Sequence, residues 1–261
     1  MSFGLRRALA RPFPHPAAQS ADPAHAARLT TYLTDMVTPY GLTLPPRDVQ
    51  GQSYGEMATA LIADLLPGAD EAVDLLVLAY DIPDIAPGRA TATYLSHICP
   101  GAPMAFAVSD QGRAAAHTAV RIARDYAASG TYGRALLLFA EQAWLPYDPG
   151  LPVTVPATHT AVGLLLGEAP AFPAPRILAD VDQARVADEL ASLSPATVIL
   201  GSFDDRDSLE IKADTVILAD TAQPMTGVWS ALAGVSGPGL VAIADYDPVL
   251  RYLCVTAFDL P

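Results

Sequence analysis

Two short runs constrain this chain most, because they are apolar at every position: Leu75-Leu-Val-Leu-Ala79 and Ala135-Leu-Leu-Leu-Phe139. A strand with one wet face alternates apolar and polar residues. A strand without alternation is covered on both faces, as parallel strands between helices are. The neighbouring segments supply the helices. Tyr54 to Leu66 reads as an amphipathic helix, Ala24 to Met36 has helical spacing, and a further helix is read from about Asp110 to Ala128. Met104 to Val108 reads as a short buried strand, and a first strand is expected within Ser2 to Leu9. Strands alternating with helices predict α/β layers.

A Pro/Ala-rich stretch, Ala169 to Pro175, reads as a linker between two halves, residues 1–168 and 176–261. The second half repeats the theme in less space: strand (Arg176–Leu178), helix (Val181–Leu193), strands (Thr197–Leu200 and Thr215–Leu218), helix (Thr226–Ala233) and two closing strands. With 261 residues, 51% of them hydrophobic, the chain can bury a sizeable core. A net charge of −13 opposes binding to nucleic acid or to an anionic membrane. No apolar run approaches the ~20 residues that span a bilayer. The N-terminal stretch, with Arg6, Arg7 and three early prolines, has no secretory apolar core. Two cysteines, Cys99 and Cys254, do not make a disulfide framework. A cytoplasmic location is expected. A single lysine, Lys212, and no asparagine point to a GC-rich, bacterial coding sequence.

Several segments carry a family likeness. Asp74-Leu-Leu-Val-Leu-Ala-Tyr80 resembles a "DLIIVAT" strand, and Thr91 to His97 sits where a "PSTA" helix is expected. Tyr126 to Phe139 resembles "YIKSGAYKRALVIG", and His159 to Glu168 resembles "GDGAGAVVLGE". Met225 to Gly234, Gly239 to Ala244 and Tyr252 to Phe258 resemble a last helix and closing strands. Together these are similar to the thiolase-like ketosynthases, of the type III kind that starts chains on acyl carrier proteins. The resemblance implies a thiolase-like fold of two α/β halves, the second reduced here, with the missing pieces in the wall of the substrate tunnel.

In that family a Val-Ser pair and two small residues lead to a catalytic Cys at a helix N-terminus. Here Val108-Ser109 is present, but the nucleophile position is Gly112. Glycine has no nucleophilic side chain. The family's second-half His has no equivalent, since the last histidine is His159. Its Asn has none either, and Gln223 stands nearest that place. The Gly-rich turn that would supply an oxyanion N–H reads Ala244-Asp-Tyr-Asp-Pro248. Pro248 has no N–H, and Asp245 and Asp247 carry the wrong charge for stabilising an oxyanion.

Ser109, Asp110 and His117 invite a triad, but residues seven apart on a helix lie about two turns, ~10 Å, from each other. Asp110 as helix N-cap with His117 on the helix flank is the simpler expectation. Cys99 precedes a Pro-Gly turn with nothing evident to lower its pKa, and Cys254 falls in a closing strand. Asp204 to Asp207 lacks the spaced oxygen pattern of a hard-cation loop. Gly234, Gly237 and Gly239 follow a helix and precede a strand, the reverse of a dinucleotide loop. No metal and no cofactor is expected.

The resemblance further implies dimers in which the strand Met104, Ala105, Phe106, Ala107, Val108 pairs across a two-fold axis. It also implies that the segment Gly88 to His97 overhangs the partner's pocket, with Arg89, Thr91 and Tyr94 as contacts. The expected role is a non-catalytic subunit paired with a full-length Cys-His-Asn ketosynthase. Such a subunit would meet an acyl carrier protein only through that partner. Two alternatives stand beside it: an acyltransferase on the same fold with Ser109 or Cys99 as a recruited nucleophile, and a stand-alone acyl-binding scaffold.

Overall fold

The structure, a computed structural model, describes residues 2–15, 22–44, 51–68, 71–86, 90–145, 147–150, 153–204, 206 and 209–261. Its first sheet holds β1 (Phe3–Pro12), β2 (Leu75–Ala79), β3 (Met104–Val108), β4 (Ala135–Glu141) and β5 (Thr160–Glu168) in the order β1-β5-β4-β2-β3. Its second sheet holds β6 (Arg176–Ala179), β7 (Thr197–Leu200), β8 (Thr215–Leu218), β9 (Gly239–Asp247) and β10 (Tyr252–Leu260) in the order β6-β10-β9-β7-β8. The two sheets have one topology. In each, the second strand of the half runs parallel to the third and the fourth, and the first and fourth run antiparallel to the fifth. The second half, 176–261, thus carries a five-stranded sheet of its own.

The described residues form six α-helices: α1 (Pro23–Val37), α2 (Tyr54–Leu65), α3 (Thr91–Ile98), α4 (Ala114–Ala128), α5 (Val186–Ala191) and α6 (Thr226–Ala233). Helices α4 and α6 lie between the sheets, in one core with inner-face residues such as Val77, Leu137, Leu164, Ile199, Ile243 and Phe258. Strands β2 and β4 are buried at every position, because α2 and α3 close their outer face while α4 closes the inner one. That is the physical origin of the two apolar runs. Helix α2 opens on a capping box, in which Ser53 and Glu56 each accept the other's backbone N–H. No helix among the described residues is long and apolar enough to cross a membrane.

Several boundaries differ from the expectations. Strand β1 runs on to Pro12, since its prolines begin only where pairing with β5 ends. A register shift between Leu5 and Arg7 accommodates the arginine pair at this edge. The expected helix 181–193 is a 3₁₀ turn, Gln183–Arg185, leading into the shorter α5. Asp182 accepts the Ala184 N–H at its start, and Ser194 is left-handed just beyond its end. The linker is anchored: Phe172 is buried, with its ring 4.8 Å from Phe258.

Candidate functional site

Strand β3 lies at the edge of the first sheet and pairs only with β2. Phe106 packs toward the central layer, and Ala105 packs toward the outer one. The turn after β3 contains two left-handed residues, Asp110 (φ 60°) and Gly112 (φ 52°). Such backbone cannot start a helix, so α4 begins at Ala114 and not at Asp110. Asp110 is not the N-cap; it is exposed and accepts the Ser109 hydroxyl at 2.8 Å.

A carboxylate from the other half does the capping instead. Asp247 Oδ2 accepts the Arg113 N–H at 3.2 Å, and its Oδ1 accepts the N–H groups of Val249 and Leu250 at 3.0 and 2.9 Å. The expected turn at 244–248 is displaced, because β9 continues to Asp247 and the chain reverses over 248–251. Asp245 and Asp247 are thus buried strand residues. They share the face of β9 with Val241 and Ile243, which looks onto the central layer and the N-terminus of α4. A Cβ added to Gly112 would lie 2.0 Å from Asp247 Oδ2 and 3.1 Å from Leu250 Cδ1. The space that a side chain at position 112 would need is filled.

Asp245 is the counter-ion of Arg113. Its Oδ1 accepts the N–H groups of Ser202 and Tyr246, both at 2.9 Å, and Arg113 Nη1 at 3.3 Å. Its Oδ2 is buried without a partner. Asp81 accepts the Gly112 N–H, and burial, then the charge of Asp247, raises its carboxyl above the usual range. Glu141, at the end of β4, accepts the N–H groups of Met225 and Thr226 at 2.6 and 2.9 Å and so caps α6; burial raises it as well. The N–H groups of Gly112, Arg113, Met225 and Thr226 are thus already bound to carboxylates. Asp81, Arg113 and Glu141 escaped the sequence reading. The signal available was an acidic residue just beyond an unbroken apolar strand, Tyr80-Asp81 and Ala140-Glu141.

The other candidates are scattered. Gln223 stands ahead of α6, but its amide donates to Thr158 O at 3.0 Å and Thr160 Oγ1 at 2.7 Å. His117 is not on a helix flank. It is fully buried, its Nδ1 bonds Thr256 Oγ1 at 2.8 Å, and its ring lies 4.9 Å from Trp229. Burial lowers it to about 3, so it stays neutral. Cys99 closes α3 as a buried thiol, pushed up to about 11 by desolvation, and buried Cys254 is raised further still. His159 stands just before β5 and accepts the Ala143 N–H at 3.3 Å. Among the described residues no group of three or more His, Cys, Asp or Glu side chains is arranged to hold a metal.

A cavity of about 430 Å³ lies beside this turn, lined by Tyr54, Tyr80, Asp84, Thr91, Ser109 and Asp110 among others. Thr91 is the first residue of α3, and Tyr94 lies one turn further along it. Arg89 lies outside the described residues.

Burial raises Asp245 to about 6. Its folded value exceeds the unfolded one, so its favourable contribution is complete below about pH 4 and is lost as pH rises through 6. Two units correspond to about 3 kcal/mol, and Asp81 and Glu141 act in the same direction. Thermal unfolding at pH 5 and pH 7.5 should show the higher Tm at pH 5, and Asp245→Asn should flatten that difference. A Tm that rises from pH 5 to 7.5 would contradict the assignment.

No family model and no curated protein sequence matches the chain. Among solved structures it is similar to the β-ketoacyl-[acyl carrier protein] synthase III of Thermus thermophilus, at 15% identity over 99% of both chains with a TM-score of 0.64. It is similar to the corresponding synthase of Pseudomonas aeruginosa PAO1, at 15% identity over 100% of this chain and 99% of that one, with a TM-score of 0.65. OleA of Xanthomonas campestris matches at 13% identity over 100% and 99%, also with a TM-score of 0.65. The likeness shows the fold: this chain has the thiolase-like fold of the ketosynthase III-type condensing enzymes.

Proposed function

We propose that this chain is a non-catalytic, ketosynthase-like subunit that pairs with an active Cys-His-Asn ketosynthase and shapes its acyl pocket. One observation carries the reading: Asp247 occupies the space that a side chain at position 112 would need, and it is held there by three backbone N–H groups. A nucleophile is absent, and its place serves as the junction between the halves. The open edge of β3 supports pairing, since a short apolar edge strand with free backbone groups is a template for another chain.

The acyltransferase reading keeps one foothold. Ser109 lines the 430 Å³ cavity, and its hydroxyl donates to a carboxylate. Cys99 has none, since its buried thiol resists ionisation. The two readings separate in one experiment. The purified chain is incubated with acyl-thioesters and its intact mass is measured, and the chain is also co-expressed with candidate ketosynthases and examined by native mass spectrometry. The subunit reading expects no adduct on the isolated chain and a one-to-one complex with a ketosynthase. An acyl adduct mapped to Ser109, or a stable homodimer that ignores every ketosynthase offered, would overturn it.

A further inference from the structure

The two halves share one sheet topology, and the comparison between them exposes a difference on the outer layer. In the first half α3 connects β2 to β3 and packs on the outer face of both. Under it β3 presents a small residue, Ala105. In the second half the matching connection, residues 201–214, contains no α-helix among its described residues. Phe203, Leu209, Ile211 and Ala213 of that segment join the outer cluster that includes Val198 and Leu200 of β7. They leave β8 open. Ile217 packs inward, whereas Val216 and Leu218, on the opposite face by strand alternation, are 43% and 55% exposed. Large, partly exposed aliphatic side chains on the face where the other half carries a helix form, among the described residues, a vacant helix slot.

Charge narrows the occupant. Residues 204–220 hold six acidic side chains against two basic ones, Arg206 and Lys212. Glu210, Asp214 and Asp220 are exposed beside the strand. A second copy of this chain, with its net charge of −13, would be repelled. We propose that the outer face of β8 is a docking slot for one amphipathic helix of a partner protein. That helix is apolar along the side laid on Val216 and Leu218 and basic along its edges. The inference stands apart from the subunit reading, because it rests on β8 and not on β3 or Gly112.

The test uses the full chain and two labelled helical peptides, each about five turns long. They share one leucine face; one is flanked by lysines and the other by glutamates. Fluorescence anisotropy should show the lysine peptide binding at least ~10-fold more tightly than the glutamate peptide. Val216→Asp and Leu218→Asp should each weaken the lysine peptide at least ~10-fold although they add negative charge. Glu210→Lys with Asp214→Lys should shift preference toward the glutamate peptide. Hydrogen exchange of residues 215–218 should slow when the lysine peptide is bound to the unaltered chain, a readout independent of the variants' folding. Tighter or unchanged lysine-peptide binding by the Asp variants would mean charge attraction alone and would overturn the slot. So would equal binding of both peptides, or self-association of the unaltered chain that the Asp variants abolish.

Discussion

Replacing Gly112 by cysteine is expected to destabilise the protein by about 2–4 kcal/mol and to yield no condensing activity. Two costs add. A non-glycine residue at φ 52° pays for left-handed backbone, roughly 1 kcal/mol. Its Cβ would overlap Asp247 Oδ2, so the carboxylate must leave the N–H groups of Arg113, Val249 and Leu250. Parting the buried Asp247 carboxylate from its donors costs about 1–3 kcal/mol. For a chain of this size the sum corresponds to a Tm loss of about 5–10 °C. Gly112→Ala should lose nearly as much, because the conflict begins at Cβ. Adding Asp247→Gly to Gly112→Cys should relieve the overlap but forfeit the cap, so recovery should be partial. Scanning calorimetry of the four proteins checks this, and acyl-thioester turnover by the isolated Gly112→Cys chain checks the chemistry. An unchanged Tm, or measurable condensation, would remove the basis for reading this turn as a structural junction.

Placing two glutamates on β3, Ala105→Glu with Phe106→Glu, is expected to abolish any complex built on this edge. Alternation sends one side chain to each face of the strand, so one glutamate enters the outer layer and the other meets the inner aromatic group around Tyr126. Within a paired interface neither would find a counter-ion, and burying an unpaired charge costs on the order of several kcal/mol. Co-purification with a ketosynthase should fall to background. Substitutions at Thr91 and Tyr94 should behave otherwise. They sit on α3, with Thr91 lining the cavity, and should preserve the complex while shifting acyl selectivity or rate. The contrast decides the matter. A complex that survives the double glutamate variant, together with no kinetic effect from α3, would leave the pairing hypothesis without support.

The layer architecture was legible because its signals are local. The unbroken apolar runs at 75–79 and 135–139 required cover on both faces, and they received it from α2, α3 and α4. Helical patterning located α1 and α2, and family likeness α6, to within a residue or two of their ends. The absence of a side chain at position 112 was likewise plain from the sequence. What filled the gap was not. Asp247 and Arg113 are 134 residues apart, and His117 and Thr256 are 139 apart, so no periodicity or spacing could bring them together. Asp110 looked like an N-cap because a short polar residue before a helix usually is one. The left-handed turn moved the helix start past it and gave the capping to a carboxylate from β9. Sequence determined most of the strands and helices and that position 112 carries no side chain. Only the tertiary structure, by packing two similar sheets around α4 and α6, decided that a carboxylate from one half would fill the space beside Gly112 in the other.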